Sequence, residues 1–169
     1  MRTIRIAKVA LVAAIALHAS LVVFGNVTDS AINFSFVRNV MSMDTILPSS
    51  TIGYRAIKVP ALHHAAYAMI IAAEFVTAVL CWIGAVRLVG ALRPSGAAFN
   101  RAKSFAVAGL LVGLLVWQVG FITIGGEWFG MWMSPTWNGV PSAFRLVMIV
   151  LGTLIFVVLP DSDMEPAVK

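Results

Sequence analysis

The sequence predicts an all-α, polytopic membrane protein, with four transmembrane helices in a bundle and amphipathic helical segments in the first outer loop. Three observations lead to this fold class. Hydrophobic residues make up 60% of the 169-residue chain and charged residues only 11%, against about 45–50% and about 25% in an average soluble domain. The apolar residues gather into four stretches of helical length, and basic residues cluster beside alternate stretches. A soluble globule, a disordered chain and a nucleic-acid-binding domain are therefore excluded.

Each span is a run of about 20 mainly apolar residues, the length that crosses the hydrocarbon core. The fourth run is short, but Ser142 and Pro160 provide start and stop signals for it. We expect a single four-helix domain over residues 1–160 and a disordered cytoplasmic tail at 161–169. The predicted spans are 4–24, 62–88, 104–124 and 143–159, and the predicted outer loops are 26–61 and 125–142.

Positive charge sets the predicted orientation, because Lys and Arg near span ends favour the cytoplasmic side. Trp128, Trp132 and Trp137 fall in the second outer loop, as expected for an aromatic belt at the outer interface. We therefore expect a bacterial inner-membrane protein with both termini in the cytoplasm. The basic residues lie before the first span and around the link between the second and third: Arg2, Arg5, Lys8, Arg87, Arg93, Arg101 and Lys103.

A cleaved signal peptide is the alternative interpretation of the first span. Its charged start suits one, but the apolar run over residues 9–24 is longer than the usual run of about 7–15 residues. No small-x-small cleavage site follows the run. The first span is therefore assigned as a membrane helix.

The first outer loop is too long for a simple turn. Ile32, Phe36 and Val40 recur at helical spacing, which predicts an amphipathic helix over residues 31–43 on the outer surface. Pro48 breaks the chain, and a second short helix is expected between residues 49 and 59. These segments act either as a lid that packs over the bundle or as a docking surface or substrate gate.

The most informative residues are the polar ones inside the spans, because a charge in hydrocarbon costs at least about 2.5–3.5 kcal/mol and needs a partner. His63, Tyr67, Glu74 and other polar residues share one face of the second span. At 1.5 Å per residue, Glu74 lies about 17 Å below Leu62, near the bilayer midplane. The same arithmetic places His18, Tyr67 and Gln118 in one layer above it. The predicted intramembrane polar cluster is His18, Tyr67, Glu74 and Gln118.

This cluster has three interpretations. The first is an interhelical hydrogen-bond network that fixes which helix faces which. The second is proton transfer, in a transporter or channel component that uses Glu74. The third is haem b, with His18 and either His63 or His64 as axial ligands of the iron. We predict no other cofactor and no metal site, because adjacent His residues on a helix point about 100° apart and chelate poorly.

Span three carries small residues on one face. Gly109 and Gly113 form a small-xxx-small pattern that allows two helices to approach closely, and Gly120 follows on the same face. This face is assigned to packing inside the bundle, with a dimer seam as the alternative. Cys81 is the single cysteine, so no internal disulfide forms. The sequence contains no phosphate-binding loop and no nucleophile elbow, and we predict no catalytic residues.

The chain resembles the bacterial family of predicted small integral membrane proteins, a family of unknown activity. The resemblance implies a four-helix inner-membrane protein and assigns no catalytic residues. It rests on motifs spread over nearly the whole chain: Gly25-Asn26, Thr28-Asp29, Phe36-Val37, residues 42–45, 60–67, Glu74, 98–103, 125–129, Met131-Trp132, 137–139 and 143–145.

Many of these motif residues map to the predicted outer side, and we expect that surface to be the working face. Arg145 is expected to pair there with Glu127, Asp44 or Asp29. The protein is interpreted as an accessory or structural subunit of a membrane complex. Its partners would be the lipid bilayer and either another membrane protein or a second copy, with no nucleic acid. The outer-face residues are Asp44, His63, His64, Glu127, Trp128, Trp132, Asn138 and Arg145.

Overall fold

The computed structural model describes residues 2–93 and 95–163, and it confirms the predicted all-α membrane fold. Four helices are long and apolar enough to cross a membrane: Arg2–Thr28, Pro60–Gly90, Gly96–Trp128 and Val140–Val158. The described part of the chain contains no strand. In chain order the elements are α1 Arg2–Thr28, α2 Ser30–Ser42, a 3-10 turn Ile52–Arg55, α3 Pro60–Gly90, α4 Gly96–Ala102, α5 Ser104–Leu115, a π-helical segment Val116–Trp128, a 3-10 turn Met131–Met133 and α6 Val140–Val158.

The observed helices α3 and α4 begin before the apolar runs that predicted the spans. Each helix starts with a residue suited to a helix N-terminus. Pro60 begins α3 at a position where its missing N–H costs nothing. Ser95 caps α4, and its hydroxyl accepts a hydrogen bond of 3.3 Å from the backbone N of Ala98. α4 and α5 follow one another directly, so the third span begins at Gly96 instead of residue 104.

α3 is the central helix of the bundle. It packs against α1 on one side and α5 on another, and α6 packs against α5 and the π-helical segment. The main core lies between these helices. Its fully buried members are mostly small or aliphatic, which keeps the helix axes close together. They include Val12, Ala16, Cys81, Leu88, Ala106, Leu110 and Val157.

Glycines permit the close approach of α3 and α5. A Cβ atom at Gly84 would lie 2.5 Å from the backbone N of Ala106, and one at Gly109 would lie 2.8 Å from the backbone N of Cys81. A Cβ at Gly113 would lie 3.0 Å from the methyl group of Thr77. Gly109 and Gly113 therefore lie against α3.

Gly120 differs from the other two glycines of that predicted face. A Cβ atom there would meet nothing within 4 Å, so Gly120 makes no close helix contact and the packing role predicted for it is wrong. The cause is the change of helix type after Leu115. Over Val116–Trp128 the backbone is π-helical, and the last bond runs from the N of Phe129 to the O of Ile124, five residues back. Within this segment, the α-helical period of 3.6 residues therefore no longer predicts on which face of the helix a residue lies.

One end of the bundle carries both chain termini and the link between α3 and α4, and we call it the termini end. Two lysines converge there on the C-terminus of α6. The ammonium groups of Lys8 and Lys103 each lie 2.6 Å from the carboxylate of Asp161. They also donate to the carbonyl of Leu159, at 2.6 and 2.7 Å respectively. Only 1% of the Lys8 side chain and 6% of the Asp161 side chain are exposed.

Further polar contacts surround this cluster. Arg5 donates to the carbonyl oxygens of Leu92 (3.2 Å) and Ser162 (2.9 Å). The Asn100 side chain donates to the carbonyl of Asp161 (3.0 Å) and accepts from its backbone N (3.1 Å). These bonds provide partners for backbone carbonyls of the segments that follow α3 and α6. The positive charges also match the negative end of the α6 dipole.

The tail that we expected to be disordered from residue 161 therefore begins with ordered residues. Asp161 is held by two ion pairs, and the backbone N of Gly96 donates to the Asp163 carboxylate at 2.5 Å. Residues 164–169 lie outside the described residues. Three basic residues whose positions predict only the orientation are in fact buried residues of this end: Arg5, Lys8 and Lys103.

The opposite end carries residues 29–59 and 129–139, and we call it the loop end. α2 and residues 43–59, together called the lid, pack over α3. The Phe34 ring stacks on the His64 ring with centroids 4.2 Å apart, and the backbone N of Ile57 donates to the carbonyl of Met41 at 2.9 Å. The lid and the second loop form a separate apolar cluster of buried residues: Val37, Val40, Met41, Met43, Phe129 and Met131.

Gly84→Ala is expected to destabilise the bundle. The new methyl group would meet the backbone of α5, which cannot move aside as a side chain can. Overpacking of this kind costs about 1–3 kcal/mol. Gly152→Ala is the matched control, since a Cβ there meets nothing within 4 Å. Thermal unfolding in detergent would show a lower Tm for Gly84→Ala alone, and equal Tm values for the two variants would contradict the close packing.

Asp161→Asn is expected to lower stability in a pH-dependent way. Burial raises the pKa of Asp161, but the hydrogen bonds from Lys103 and Lys8 outweigh burial and hold the pKa below its ordinary value of 3.8. The carboxylate therefore stabilises the fold fully above about pH 4, and this stabilisation is lost as the pH falls through the folded-state pKa.

Unfolding curves at several pH values test this prediction. The Tm difference between the native chain and Asp161→Asn should be large at pH 7 and should vanish in strong acid. Asp44→Asn is the control, because Asp44 is exposed and makes no ion pair within the described residues. A difference that does not change with pH would argue against the double ion pair.

Candidate functional site

A buried carboxylate lies in the wall of α3. Glu74 is 5% exposed, and its Oε2 accepts a hydrogen bond of 2.8 Å from the side-chain amide of Asn26 in α1. Since Glu74 is an acidic residue within a largely apolar membrane helix, the protein must supply hydrogen-bonding partners for its carboxylate. Asn26 is the described residue that does so.

Tyr67 also bonds to Asn26, on the side of Glu74 that faces the loop end. Its hydroxyl donates to the backbone carbonyl of Asn26 at 2.7 Å. The edge of its ring faces Phe34 of the lid, with centroids 5.8 Å apart. Tyr67, Asn26 and Glu74 therefore form one hydrogen-bonded series that links α3, the end of α1 and the lid.

Asn26 was missed as a site residue. It was placed at the membrane boundary because the first span was ended at residue 24, whereas α1 continues to Thr28. The signal that would have found it is its position eight residues after His18, about two helical turns farther along a similar face. Asn26 also belongs to the motif Gly25-Asn26 on which the family resemblance rests.

Glu74 is the fifteenth of the 31 residues of α3, whereas its partner Asn26 is the third residue from the end of α1. Along α1, Asn26 is 21 residues after Arg5, a rise of about 32 Å at 1.5 Å per residue. The contact therefore joins the middle of α3 to the last turn of α1 at the loop end. The depth of Glu74 near the bilayer midplane stays a prediction.

The predicted layer of His18, Tyr67 and Gln118 does not form. Tyr67 lies on the loop side of Glu74, while His18 lies on the termini side, where it lines a narrow cleft of about 20 Å³ with Glu74 and Thr77. Gln118 is exposed in the π-helical segment, and the prediction used only its depth along the third span, which does not determine the face on which it lies. His18 is exposed as well, at the edge of the cleft.

A cavity of about 340 Å³ opens beside Glu74 on the loop side. Polar side chains of α1, the lid, α3 and the start of α6 meet there, together with aromatic rings from the lid and the π-helical segment. Glu74 is the charged residue among those that line it. The polar lining residues are Asn26, Asn33, Tyr67, Glu74, Asn138 and Ser142, and the aromatic ones besides Tyr67 are Phe36, Trp117 and Phe121.

A second cavity of about 300 Å³ adjoins the first and is almost wholly apolar. The two share the side chains of Phe36, Val37, Ile70 and Phe121 as common walls. The rings of Phe36 and Phe121 are 6.3 Å apart between centroids. The rest of the apolar cavity is lined mainly by flexible Met and branched residues, including Val40, Met41, Ile57, Met69, Ile124 and Met131.

Three of the predicted outer-face residues make contacts with their neighbours at the loop end. The buried His63 ring nitrogen Nε2 lies 2.7 Å from the carbonyl of Ile57 and so connects the lid to α3. The Asn138 side chain lines the polar cavity, and its Oδ1 accepts from the backbone N of Val140, the first residue of α6, at 3.1 Å. The exposed His64 stacks on Phe34, as described above.

The ion pair predicted for Arg145 is wrong. Its guanidinium donates to the hydroxyl of Ser142 at 2.9 Å, one turn earlier in α6, and it pairs with none of Glu127, Asp44 and Asp29 within the described residues. The three-residue spacing makes Ser142 the nearer partner. The side chains of Asp44, Glu127, Trp128 and Trp132 are exposed, and the Arg55 guanidinium lies 5.1 Å from the centre of a Trp128 ring.

The geometry disfavours a bis-histidine haem site. His18 is eight residues on the termini side of Asn26, and His63 is eleven residues on the loop side of Glu74. Along the bundle axis the two histidines are therefore about 28 Å apart at 1.5 Å per residue. His64 neighbours His63 and is equally remote, so neither histidine shares an iron with His18.

Asn26→Leu is expected to destabilise the fold by about 1–3 kcal/mol, because it leaves the buried Glu74 carboxylate without its amide donor. The double variant Asn26→Leu/Glu74→Leu removes both partners and should recover most of that loss. Unfolding free energies of the two single variants and the double variant form a mutant cycle. Additive effects in this cycle would contradict a direct, buried Asn26–Glu74 interaction.

Comparisons with known proteins place the chain within one family. The family model described as predicted small integral membrane protein (DUF2165) matches residues 4–160, from the start of α1 to the end of α6. No curated protein and no solved structure matches the chain. Four membrane-spanning helices agree with the family's description. The chain belongs to the family of predicted small integral membrane proteins.

Proposed function

We propose that this protein is a membrane-embedded accessory protein that binds a small amphipathic molecule in the two adjoining cavities at its loop end. One observation carries the proposal: Glu74, a buried carboxylate with a single hydrogen-bonding partner in the described chain, faces a cavity of about 340 Å³. Ionisable residues inside membrane spans mark functional sites by default. Cavities of about 300–1,000 Å³ with a few convergent polar groups are the usual form of small-molecule sites.

The distribution of polar side chains around Glu74 favours the binding of a molecule over the conduction of protons or solutes. A proton or solute that passed Glu74 would have to continue through the core between α1, α3 and α5 toward the termini end. That core is closed by apolar side chains, among them Val12, Ala16 and Leu110, which are all fully buried. A proton-linked channel would need polar groups along the whole path, and the core residues beyond the cleft of His18 and Thr77 are apolar. The buried polar group at Glu74 instead serves a site that opens toward the loop end.

A cytoplasmic location of both termini, in a bacterial inner membrane, is part of the proposal. Arg87, Arg93 and Arg101 are exposed at the termini end, which supports a cytoplasmic orientation under the positive-inside rule. Trp128 and Trp132 are exposed at the loop end, as expected for residues at the outer interface. Lys8 and Lys103 carry less weight in this argument, because both are buried and share the carboxylate of Asp161.

Two features support the accessory role: the small size of the protein and its apolar outer surface. A bundle of four spans has little structure besides the two cavities that could carry a separate activity. The lipid-facing residues of α1, α3 and α6 could also contact a membrane-protein partner or a second copy. Mass spectrometry of the protein purified in native-lipid discs would identify both a bound small molecule and any co-purifying protein.

Orientation is tested by cysteine labelling. In a Cys81→Ala background, Ser49→Cys in the lid should react with a membrane-impermeant maleimide in intact spheroplasts, since Ser49 is exposed at the loop end. Ala97→Cys in α4 is exposed at the termini end and should react only after permeabilisation. The reverse labelling pattern would overturn the proposed topology.

Ligand binding is tested with a variant that fills a cavity. Gly120 lines the apolar cavity, and a Cβ there meets nothing within 4 Å, so Gly120→Leu should occupy the space without disturbing the helices. Native mass spectrometry of the protein in native-lipid discs should detect a small molecule bound to the native chain and depleted in Gly120→Leu. Gly152→Leu is the matched control, because Gly152 is also open but lies outside both cavities. The same bound mass in all three proteins, or none in the native chain, would contradict the proposal.

A further inference from the structure

We infer that the ligand is a cationic amphiphile, with a primary ammonium group beside Glu74 and an alkyl chain in the apolar cavity. This inference rests on the proposed function and names the class of molecule that the same site selects. It follows from three properties of the cavities: their charge, their aromatic walls and the way they adjoin.

The charge of the polar cavity selects a cation. Glu74 is the charged member of the described lining, and the other polar groups are neutral amides and hydroxyls. The carboxylate has about four lone-pair positions, and Asn26 occupies one of them. An ammonium group offers three donors, which match the Glu74 carboxylate and neutral oxygens such as those of Tyr67 and Asn33. An anionic head would face Glu74 without a cationic partner, because Arg145 bonds to Ser142 and does not line the cavity.

The aromatic side chains favour the same head group. Tyr67, Trp117, Phe36 and Phe121 all line the polar cavity, and the rings of Trp117 and Phe121 are 4.6 Å apart between centroids. The face of an aromatic ring attracts a cation, most strongly when the site is shielded from water. Aromatic side chains also form the cages in which proteins recognise quaternary ammonium ligands, so rings beside a carboxylate favour an organic cation.

The second cavity supplies the apolar half of the site. It shares four walls with the polar cavity, so a molecule whose head lies at Glu74 has its tail directed along Phe36 and Phe121 into apolar space. Met41, Met69 and Met131 line that space, and their unbranched thioether side chains adapt to an alkyl chain of variable shape. A small polar amine would leave this cavity empty, and a simple hydrocarbon would leave Glu74 unmatched.

The test compares three probes that share a tail and differ in the head: n-octylamine, n-octanol and octanoate. The amine is protonated at pH 7, because an alkylammonium has a pKa near that of Lys, about 10.4. Each probe is titrated at equal mole fraction into discs of zwitterionic lipid that hold the full chain. Binding is followed by the fluorescence of Trp117, with Trp117→Phe as the control that assigns the signal, and by the shift in Tm.

We expect saturable binding of octylamine and none of octanoate. Glu74→Gln should weaken amine binding at least about tenfold, the effect of losing a hydrogen bond to a charged group. Gly120→Leu should weaken it as well by filling the tail cavity, and Gly152→Leu should bind as the native chain does. Where Glu74→Gln does not fold, Gly120→Leu and the comparison of probes still decide the outcome.

The possible outcomes distinguish the proposal of a cationic amphiphile from the proposed binding function. Equal amine affinity in Glu74→Gln and the native chain would overturn the cationic amphiphile. Saturable binding of octanol or octanoate that Gly120→Leu abolishes, with no binding of the amine, would also overturn it but would keep the proposed binding function. Failure of all three probes, together with no bound mass in the native-lipid discs, would overturn both.

Discussion

A charge buried in hydrocarbon must find its partner within the protein, and this constraint shapes both ends of the bundle. At the termini end it is met by contacts inside the protein. Two lysines share the carboxylate of Asp161 and the carbonyl of Leu159 at the C-cap of α6, so the buried ammonium groups have hydrogen-bonding partners. At the loop end it is met only in part. Glu74 has one amide donor from Asn26 and otherwise faces a cavity, so the same physical demand stabilises one end and leaves the other ready for a ligand.

The loop-end cavities depend on a change in packing along α3. Toward the termini end, glycines at positions 84 and 109 bring α3 and α5 into backbone contact and leave no space. Beyond Gly113 the third span becomes π-helical and moves its side chains away from the α-helical register. The lid then covers the space that remains, with Phe36 in the wall between the two cavities. Tight packing and open space thus follow one another along a single pair of helices.

Local patterns in the sequence predicted the parts of this structure that local forces determine. The apolar runs gave the spans, and the spacing of Ile32, Phe36 and Val40 gave α2, because helix periodicity acts over a few residues. Glu74 was identified because a charge is conspicuous in an apolar helix. Its partner Asn26 was not, since that contact joins residues 48 positions apart and depends on where α1 ends. Gln118 was assigned to the polar layer from its depth alone, and no pattern in the sequence predicts the π-helix to which it belongs. Lys8 and Lys103 were used only as signals of orientation, because their partner lies in a tail whose composition predicts disorder.

The contact between Lys8 and Asp161 also bears on how the protein is assembled. Lys8 belongs to α1, and its carboxylate partner follows 153 residues later, just after α6. A Lys side chain without such a partner is hydrated most easily at the headgroups, because its long apolar stem lets the ammonium group reach them. Burial of Lys8 inside the bundle therefore requires that α6 and Asp161 are already in place. The position of α1 at the termini end is thus fixed by residues that are synthesised after all four spans.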